Sequence, residues 1–475
     1  MRTPILFSTN FLIVEYKSKE FWPPSAYSFR LISSFDPTNI IKMEKLIAQI
    51  QGLSTNDDND LKQLKNTLIK SEETMFKHIS SIDDALSVLD PYQHSLGWLY
   101  LLSVKALGKT DPFIFIPQLC RFLNNFNAKQ VRMDPKKFRF LCQKLTDICC
   151  ENKIPHAAVK ALRSAVTKFA PREQLTPQHA MFALCCLLSK LYTAAQSVLD
   201  IDVIDVDPEL TAVETKDLRL YFYYGGMLYV GLKKFHRALE FFKNVISAPA
   251  IIPSQIMVEA YKKYILVSLI ISGQIQPLPR YTSTTLLRHL RHTCTAYENL
   301  ANAHATHSLD DVQKCVASHQ EQFVKEGNWG LVKQSTKSLI RRNIQRLTLT
   351  YLTLSLQDIA ENVKLKSTSE VEQLILRMIE NGEIFAALNQ KAGMAIFKDN
   401  PEAYNTAEAL EYLDKQIKNT IVLTGKIERL DELITATPTY LQKAMSTERT
   451  AGTRFSAGEL EEGFDLEHAH AGFRG

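Results

Sequence analysis

Residues 351–397 read YLTLSLQDIAENVKLKSTSEVEQLILRMIENGEIFAALNQKAGMAIF, and along them the apolar period changes once. Leu356, Ile359, Ala360 and Val363 recur at threes and fours behind Ser355, a residue suited to cap a helix. Ser369 with Glu372 three residues later predicts a capping box. The helix it opens carries Val371, Leu374, Ile375, Met378 and Ile379 on one side and stops at Asn381-Gly382. From there the period is two. Glu383–Leu388 and Met394–Phe397 predict short strands around the turn Asn389-Gln390-Lys391-Ala392-Gly393. With the long helix that runs in from Trp329, this is a winged-helix pattern over 328–400.

Upstream, residues 43–320 repeat helix, turn, helix. Leu61, Leu64, Leu68 and Ile69 mark one apolar face, and Phe138, Leu141, Leu145 and Ile148 another. Breakers recur at Asp90-Pro91, Asp134-Pro135, Ile154-Pro155, Ala170-Pro171, Thr176-Pro177 and Asp207-Pro208. The 475 residues hold 17 glycines and 18 prolines, with no glycine between Gly108 and Gly225 and no proline between Pro279 and Pro401. Such gaps suit stacked helices, whose interiors exclude both residues. Within 222–250, FYYGGMLYVGLKKFHRALEFFKNVISAPA, the tetratricopeptide register appears: Gly226 and Tyr229 in a first helix, Phe235, Ala238 and Phe242 in a second, Pro249 at the closing turn. The small residues predict close helix approach, with aromatics filling the groove. The fold class is therefore mainly α: a TPR-like solenoid, then a winged helix, then a C-terminal helix.

That last helix is predicted over 406–435. Leu410, Leu413, Ile417, Ile421, Ile427, Leu430 and Ile434 form a stripe after a finished domain, so another protein, or its own winged helix, must bury it. Residues 446–475 crowd glycines, lose periodicity and read as a flexible tail. Residues 1–42 read as a disordered extension whose apolar run, Ile5–Val14, is half the length of a membrane span. The expected division is thus extension 1–42, N-terminal repeats 43–230, further repeats 231–327, winged helix 328–400, bundle helix 401–445 and tail 446–475.

Chemistry is sparse. The chain has no G-x-x-x-x-G-K-[ST], G-x-S-x-G or H-E-x-x-H sequence and no dinucleotide fingerprint after a strand, so no enzyme class and no cofactor is expected. His289/His292 and His304/His307 share helix faces at i, i+3, but no carboxylate or paired cysteine completes a metal set. His468-Ala469-His470 has no later aspartate to complete an isopeptidase-type zinc site. Eight cysteines, including the adjacent pairs Cys149-Cys150 and Cys185-Cys186, lie in apolar helical text without framework spacing. That favours reduced thiols in the cytoplasm or nucleus. A net charge of +5 is too mild to imply nucleic acid or a membrane surface. The basic run Lys333, Lys337, Arg341, Arg342, Arg346 invites a nucleic-acid reading. The second wing helix opposes it by carrying Glu370, Glu372 and Glu380 against Arg377. A solvated face, or one that meets an acidic neighbour, is the better reading.

Helical repeats that run into a winged helix resemble the PCI-domain family, whose members include subunits of the proteasome lid, a translation-initiation complex and the COP-nine signalosome. The chain is similar to the signalosome branch through HSLGWLYLL (94–102), YYGGMLYVGLKKFHRALEFF (223–242), EAYKKYILVSLI (259–270), GLVKQ (330–334), YLTLSLQDIA (351–360) and MIENGEIFAALNQKAGM (378–394). The resemblance implies a noncatalytic scaffold, in the cytoplasm and nucleus, of a complex that removes the ubiquitin-like Nedd modifier from cullins. The zinc chemistry belongs to a different subunit. It implies other PCI and MPN subunits as partners, cullin-RING ligases indirectly, and neither membrane nor nucleic acid. It also implies association through winged-helix edges and a bundle of C-terminal helices. The expected interface residues are Ile384, Phe385, Ala386, Leu388, Met394, Ile396 and Phe397 in the strands, with Leu410, Leu413, Ile417, Ile421, Ile427, Leu430 and Ile434 in the helix. Trp329, Phe385 and Phe397 are candidate anchors, with core packing the alternative for each. A subunit of the lid or initiation complex is the neighbouring alternative.

Overall fold

The computed structural model describes residues 37–53, 57–108, 111–250, 252–365, 367–399 and 406–454. Most of the extension, the end of the tail and His468/His470 lie outside them. Among the described residues thirteen α-helices come first: α1 (Pro37–Leu53), α2 (Asp58–Lys77), α3 (Ile82–Val88), α4 (Ser95–Leu107), α5 (Pro112–Asn125), α6 (Ala128–Val131), α7 (Pro135–Glu151), α8 (His156–Phe169), α9 (Pro177–Leu188), α10 (Tyr192–Leu199), α11 (Pro208–Thr211), α12 (Thr215–Gly231) and α13 (Phe235–Ser247). Then come α14 (Gln255–Ile271), α15 (Thr284–Thr293), α16 (Thr295–Ala305), α17 (Leu309–Ser318), α18 (Gln320–Lys325) and α19 (Trp329–Thr350). The wing follows as β1 (Thr353–Ser355), α20 (Leu356–Val363), α21 (Thr368–Glu380), β2 (Ala386–Asn389) and β3 (Met394–Phe397). Beyond Phe397 a second compact unit holds α22 (Ala407–Thr435) and α23 (Pro438–Arg454).

Several X-Pro breakers start helices, whereas Asp90-Pro91 and Ala170-Pro171 lie in turns. Asp111, Asp134 and Asp207 each cap with a side-chain oxygen while the following proline takes the first helical position. Thr176 caps α9 in a box completed by His179. The helix pairs are tied by aromatics: Trp98, Phe122, Phe126, Phe138 and Phe169 run from α4 to α8 with successive ring centroids 6.2, 6.2, 5.2 and 4.8 Å apart. Buried tyrosines keep a polar tip satisfied by reaching a carboxylate elsewhere in the stack. Tyr100 donates to Asp134, Tyr229 to Asp200, Tyr261 to Glu298 and Tyr297 to Glu326. At the tetratricopeptide segment the small residues do what their spacing predicts. A Cβ on Gly226 would lie 2.7 Å from the Phe242 ring, and one on Gly225 2.6 Å from the Phe241 ring.

The turns between paired helices hold a feature the sequence conceals. Lys153, Lys190 and Lys233 stand at φ of 59°, 58° and 61°, the left-handed region that usually ends a helix with glycine. Each lysine amide and the next amide bond back to the last helical turn, as Ile154 does to the Cys149 carbonyl at 2.8 Å. All three side chains are exposed, so replacing them removes no packing. An L-residue in this region costs about 1–2 kcal/mol, and glycine returns roughly half of that in chain entropy. Lys153→Gly, Lys190→Gly and Lys233→Gly should each stabilise the fold by about 0.5–1 kcal/mol, read as a higher urea midpoint with unchanged slope.

One apolar core runs from Leu46 to Leu339, and a second, smaller one fills the winged helix. Helix α19 serves both: Leu331, Val332 and Leu339 enter the first, Ile344 enters the second, and Ile340 packs on each. Two residues of the basic run on this helix are committed to that joint. Arg342 donates to the Ile270 and Ile271 carbonyls at the end of α14, and Arg341 pairs with Glu383 of the winged helix at 3.0 Å. Gly273, at φ 74°, leaves room for Arg342, whose Nε would lie 2.8 Å from a Cβ there. The expected solvated basic face is therefore reduced: Arg341 and Arg342 bind within the chain, and Lys333 lies over the Trp329 ring.

Beside Arg342 lies His304, buried with neither ring nitrogen hydrogen-bonded. Burial, with the Arg342 and His307 charges, pushes its pKa down to about 4; burial alone does the same at His179, against a backbone bond to Thr176. Between the ordinary value of 6.5 and about 4 the unfolded chain therefore binds protons that the fold excludes. Stability is full above pH 6.5 and falls as the medium is acidified toward 4, by roughly 3 kcal/mol per histidine at the limit. Denaturant titrations at stepped pH check this, and His304→Gln should flatten the slope.

Several local expectations shift. Helix α1 starts at Pro37, so residue 43 is inside a helix. Ser355 caps α20 through the Asp358 amide as predicted, but α21 begins at Thr368 behind Ser367, so Ser369 and Glu372 form no capping box. In Ser367-Thr368-Ser369 all three residues carry cap chemistry, and the helix starts two residues earlier than a cap at Ser369 would place it. A strand, β1, precedes α20 where only a connection was expected. Helix α23 continues through 446 to 454, across the start of the expected tail.

Candidate assembly surfaces

The wing is a three-stranded antiparallel sheet in the order β1-β3-β2. Thr353, Leu354 and Ser355 pair with Ile396, Ala395 and Met394, and Ala386–Asn389 pair with Phe397–Met394 on the other side. Two further bonds extend the first ladder, from the Phe397 amide to the Leu352 carbonyl and from the Leu356 amide to the Gly393 carbonyl. Strand β3 is therefore the middle strand. Its backbone groups are taken on both sides, so Met394–Phe397 cannot serve as an edge for a neighbouring chain. The edges are β1 and β2.

Side-chain alternation sorts the strand candidates by face. Ile384 and Phe397 are buried in the winged-helix core with Ala395, which corrects their reading as surface contacts. Ala386 and Leu388 are half-buried and pack against that core from the inner face. Phe385, Met394 and Ile396 are exposed. Trp329 is partly buried against the solenoid core, with Lys333 over its ring at 5.1 Å. Leu349 and Leu352, at 88% and 79% exposure, flank β1 and extend the apolar surface at that edge. The alternation in Leu352-Thr353-Leu354-Ser355 is the signal for Leu352, too short to stand out beside the helix cap that follows it.

The second surface is α22. It is 29 residues long and has no buried residue. Leu410, Leu413, Ile417, Ile421, Ile427 and Ile434 are exposed and Leu430 is half-buried. Tyr412, Val422, Leu423 and Leu433 are exposed too and widen the stripe. In a heptad frame that starts at Leu410, five of the eight a and d positions are apolar (Leu410, Leu413, Ile417, Ile427 and Ile434), and Thr420, Thr424 and Asp431 take the other three. Ile421 falls at e, and Leu423 and Leu430 fall at g. Apolar residues on both flanks of an a/d seam suit a helix with more than one neighbour, as in a bundle. Thr406 caps the helix through the Ala409 amide, so it starts on its own signal.

The surface of α21 is mostly acidic, with Glu370 and Glu380 exposed beside its single cation, Arg377, which is exposed too. Among the described residues no helix is long and apolar enough to cross a membrane.

Comparison with known proteins places these surfaces in a family. Residues 58–286 match the family model described as COP9 signalosome complex subunit 3, N-terminal helical repeats, and residues 313–399 match that of the PCI domain. A protein of Dictyostelium discoideum named COP9 signalosome complex subunit 3 is 39% identical over 393 residues, which is 82% of this chain and 94% of that protein. Its namesake in Arabidopsis thaliana is 38% identical over 406 residues, 84% of this chain and 93% of that one. Helical repeats, winged helix and the order of the two agree with both matches, and the chain belongs to the family of COP9 signalosome complex subunit 3.

Proposed function

We propose that the chain is a noncatalytic scaffold subunit of the signalosome, in the cytoplasm and nucleus. In this reading it helps assemble the complex that removes the Nedd modifier from cullin-RING ligases. The observation that carries the reading is α22, a capped helix with an apolar stripe that nothing among the described residues buries. Burying such a stripe among neighbouring helices would contribute about 25 cal/mol for each Å² of apolar surface removed from water. The winged helix supplies a second contact through the β1 or β2 edge, where an added strand gains backbone hydrogen bonds. Leu349, Leu352, Phe385 and Ile396 lie on the surface around those edges. The solenoid of residues 43–327 then acts as an arm that carries the winged helix of 328–400, and 401–445 supplies the bundle contact. Other PCI and MPN subunits are the partners, and cullin-RING ligases are met through them.

Native mass spectrometry of the tagged full chain isolated from cells tests the proposal. It should release a complex containing the other signalosome subunits and deneddylating activity. Isolation with proteasome-lid or ribosomal components instead would overturn it.

A further inference from the structure

Between Glu259 and Glu298 the chain carries no acidic residue, a stretch that includes most of α14 and all of α15. Its exposed cations are Arg280, just before α15, with Arg288 and Arg291 inside the helix. His289 and His292 are exposed beside them. Leu286 and Leu290 bury the back of α15, and Arg288, Arg291 and His292 recur at threes and fours on the side turned away from both. Arginines elsewhere in the solenoid are committed within the chain: Arg139 to Glu214 and Asp217, Arg237 to Asp202 and Glu240. Arg280 and Arg288 have no such ion pair among the described residues. No lysine falls between Lys263 and Lys314 either. A face kept for solubility mixes lysine with glutamate. One that has arginine and lacks both presents planar guanidinium forks, each able to take a carboxylate through two hydrogen bonds.

We propose that Arg280 and the exposed face of α15 are a docking surface for an acidic segment of a partner protein, a contact additional to the wing edges and α22. Charge complementarity selects the occupant. An arriving carboxylate finds no acidic residue on α15 to repel it, and the exposed Thr284 and Thr285 offer hydroxyl donors. The dimensions agree. The ten residues of α15 make a helix about 15 Å long, which about five residues of an extended segment would cover. Alternate side chains of such a segment stand roughly 6.6 Å apart, close to the 5–6 Å between residues three or four apart on a helix. A nucleic-acid strand would need the positive charge to continue, and along the chain it stops. Helix α16 has no lysine or arginine, and α17 opens with Asp310 and Asp311 in its first turn. The proposal uses neither the wing nor α22, so its failure would leave both of those contacts standing.

Fluorescence anisotropy of a labelled ten-glutamate peptide, titrated with the purified full chain at ~20 mM salt, tests it. The peptide should bind saturably and lose affinity as salt rises to about 0.15 M. Arg280→Glu with Arg288→Glu should weaken binding roughly tenfold or more, with an unchanged thermal midpoint because both side chains are exposed. Lys153→Glu with Lys190→Glu makes the same change of net charge at two exposed turns and should alter affinity by less than about twofold. Arg280→Gln with Arg288→Gln should give a smaller loss in the same direction, and it carries the test should the charge reversal impair folding. Absence of binding to the wild-type chain overturns the proposal, as does an equal loss in the two charge-reversed chains. So does a ten-nucleotide oligothymidylate that binds more tightly than the peptide and depends on the same two arginines, which would assign the surface to nucleic acid.

Discussion

Ile417→Asp, Ile421→Asp and Ile427→Asp together should remove the chain from its complex while leaving its own thermal midpoint within a degree or two. None of the three side chains is buried in the chain, so the fold loses no packing with them. Aspartate costs roughly 0.5 kcal/mol of helix propensity per site, which falls on α22 alone. In an assembled bundle each residue would be an apolar anchor worth about 2 kcal/mol, and a buried, unpaired carboxylate would cost more. Three such losses amount to at least ~6 kcal/mol, a weakening of more than four orders of magnitude. The alanine triple, which keeps the helix and removes only apolar surface, should weaken incorporation in the same direction by less. Co-isolation with tagged partner subunits measures both. Full incorporation of the aspartate triple would show that α22 is not a contact.

The second large effect is on the fold. Gly226→Leu should unfold the protein or cost it more than about 3 kcal/mol, at the upper end of overpacking penalties. Even the Cβ would stand 2.7 Å from the Phe242 ring, and the ring cannot retreat because it is fully buried. Helices α12 and α13 would have to part, and with them the contacts of Tyr223 and Tyr229 on the second helix. Gly330→Ala is the control. Nothing lies within 4 Å of a Cβ there, so replacing a glycine in the first turn of α19 should be neutral or slightly stabilising. Adding Phe242→Ala to Gly226→Leu should recover part of the loss, because it vacates the space the leucine needs. Chemical denaturation of the wild-type chain, Gly226→Leu, Phe242→Ala and the double variant reads the cycle directly.

The glycine pair was legible because close helix approach leaves a compositional trace, small residues in register with aromatics. The wing was legible for a similar reason: a period of two after a period near 3.6 is a change of secondary structure whatever the tertiary context. What stayed hidden carries no such trace. A lysine at a left-handed turn looks like any surface lysine, since the strain is in its backbone. The place of β3 in the middle of the sheet depended on β1, a strand of three residues with no breaker before it. Once β1 pairs, the two strands expected to offer edges have different standing, and half of the expected edge surface becomes interior. Arg341 and Arg342 were read by charge alone. Their partners are a carboxylate on the wing and carbonyls at the end of α14, which a count of cations on one helix does not reveal. On α22 the structure adds the width of the stripe and, among the described residues, the absence of any buried member.

Helix α19 belongs to two hydrophobic cores and has neither glycine nor proline between Leu331 and Thr350. At 1.5 Å per residue its 22 residues make a strut about 33 Å long with no natural hinge. Force applied at the wing therefore travels along a continuous column of backbone hydrogen bonds into the solenoid, and slack has nowhere to collect. In amide exchange, protection along α19 should be continuous from its solenoid turns to its wing turns. A crowded assembly gains from this in positioning: whatever fixes the solenoid also fixes the direction in which the wing presents its edges.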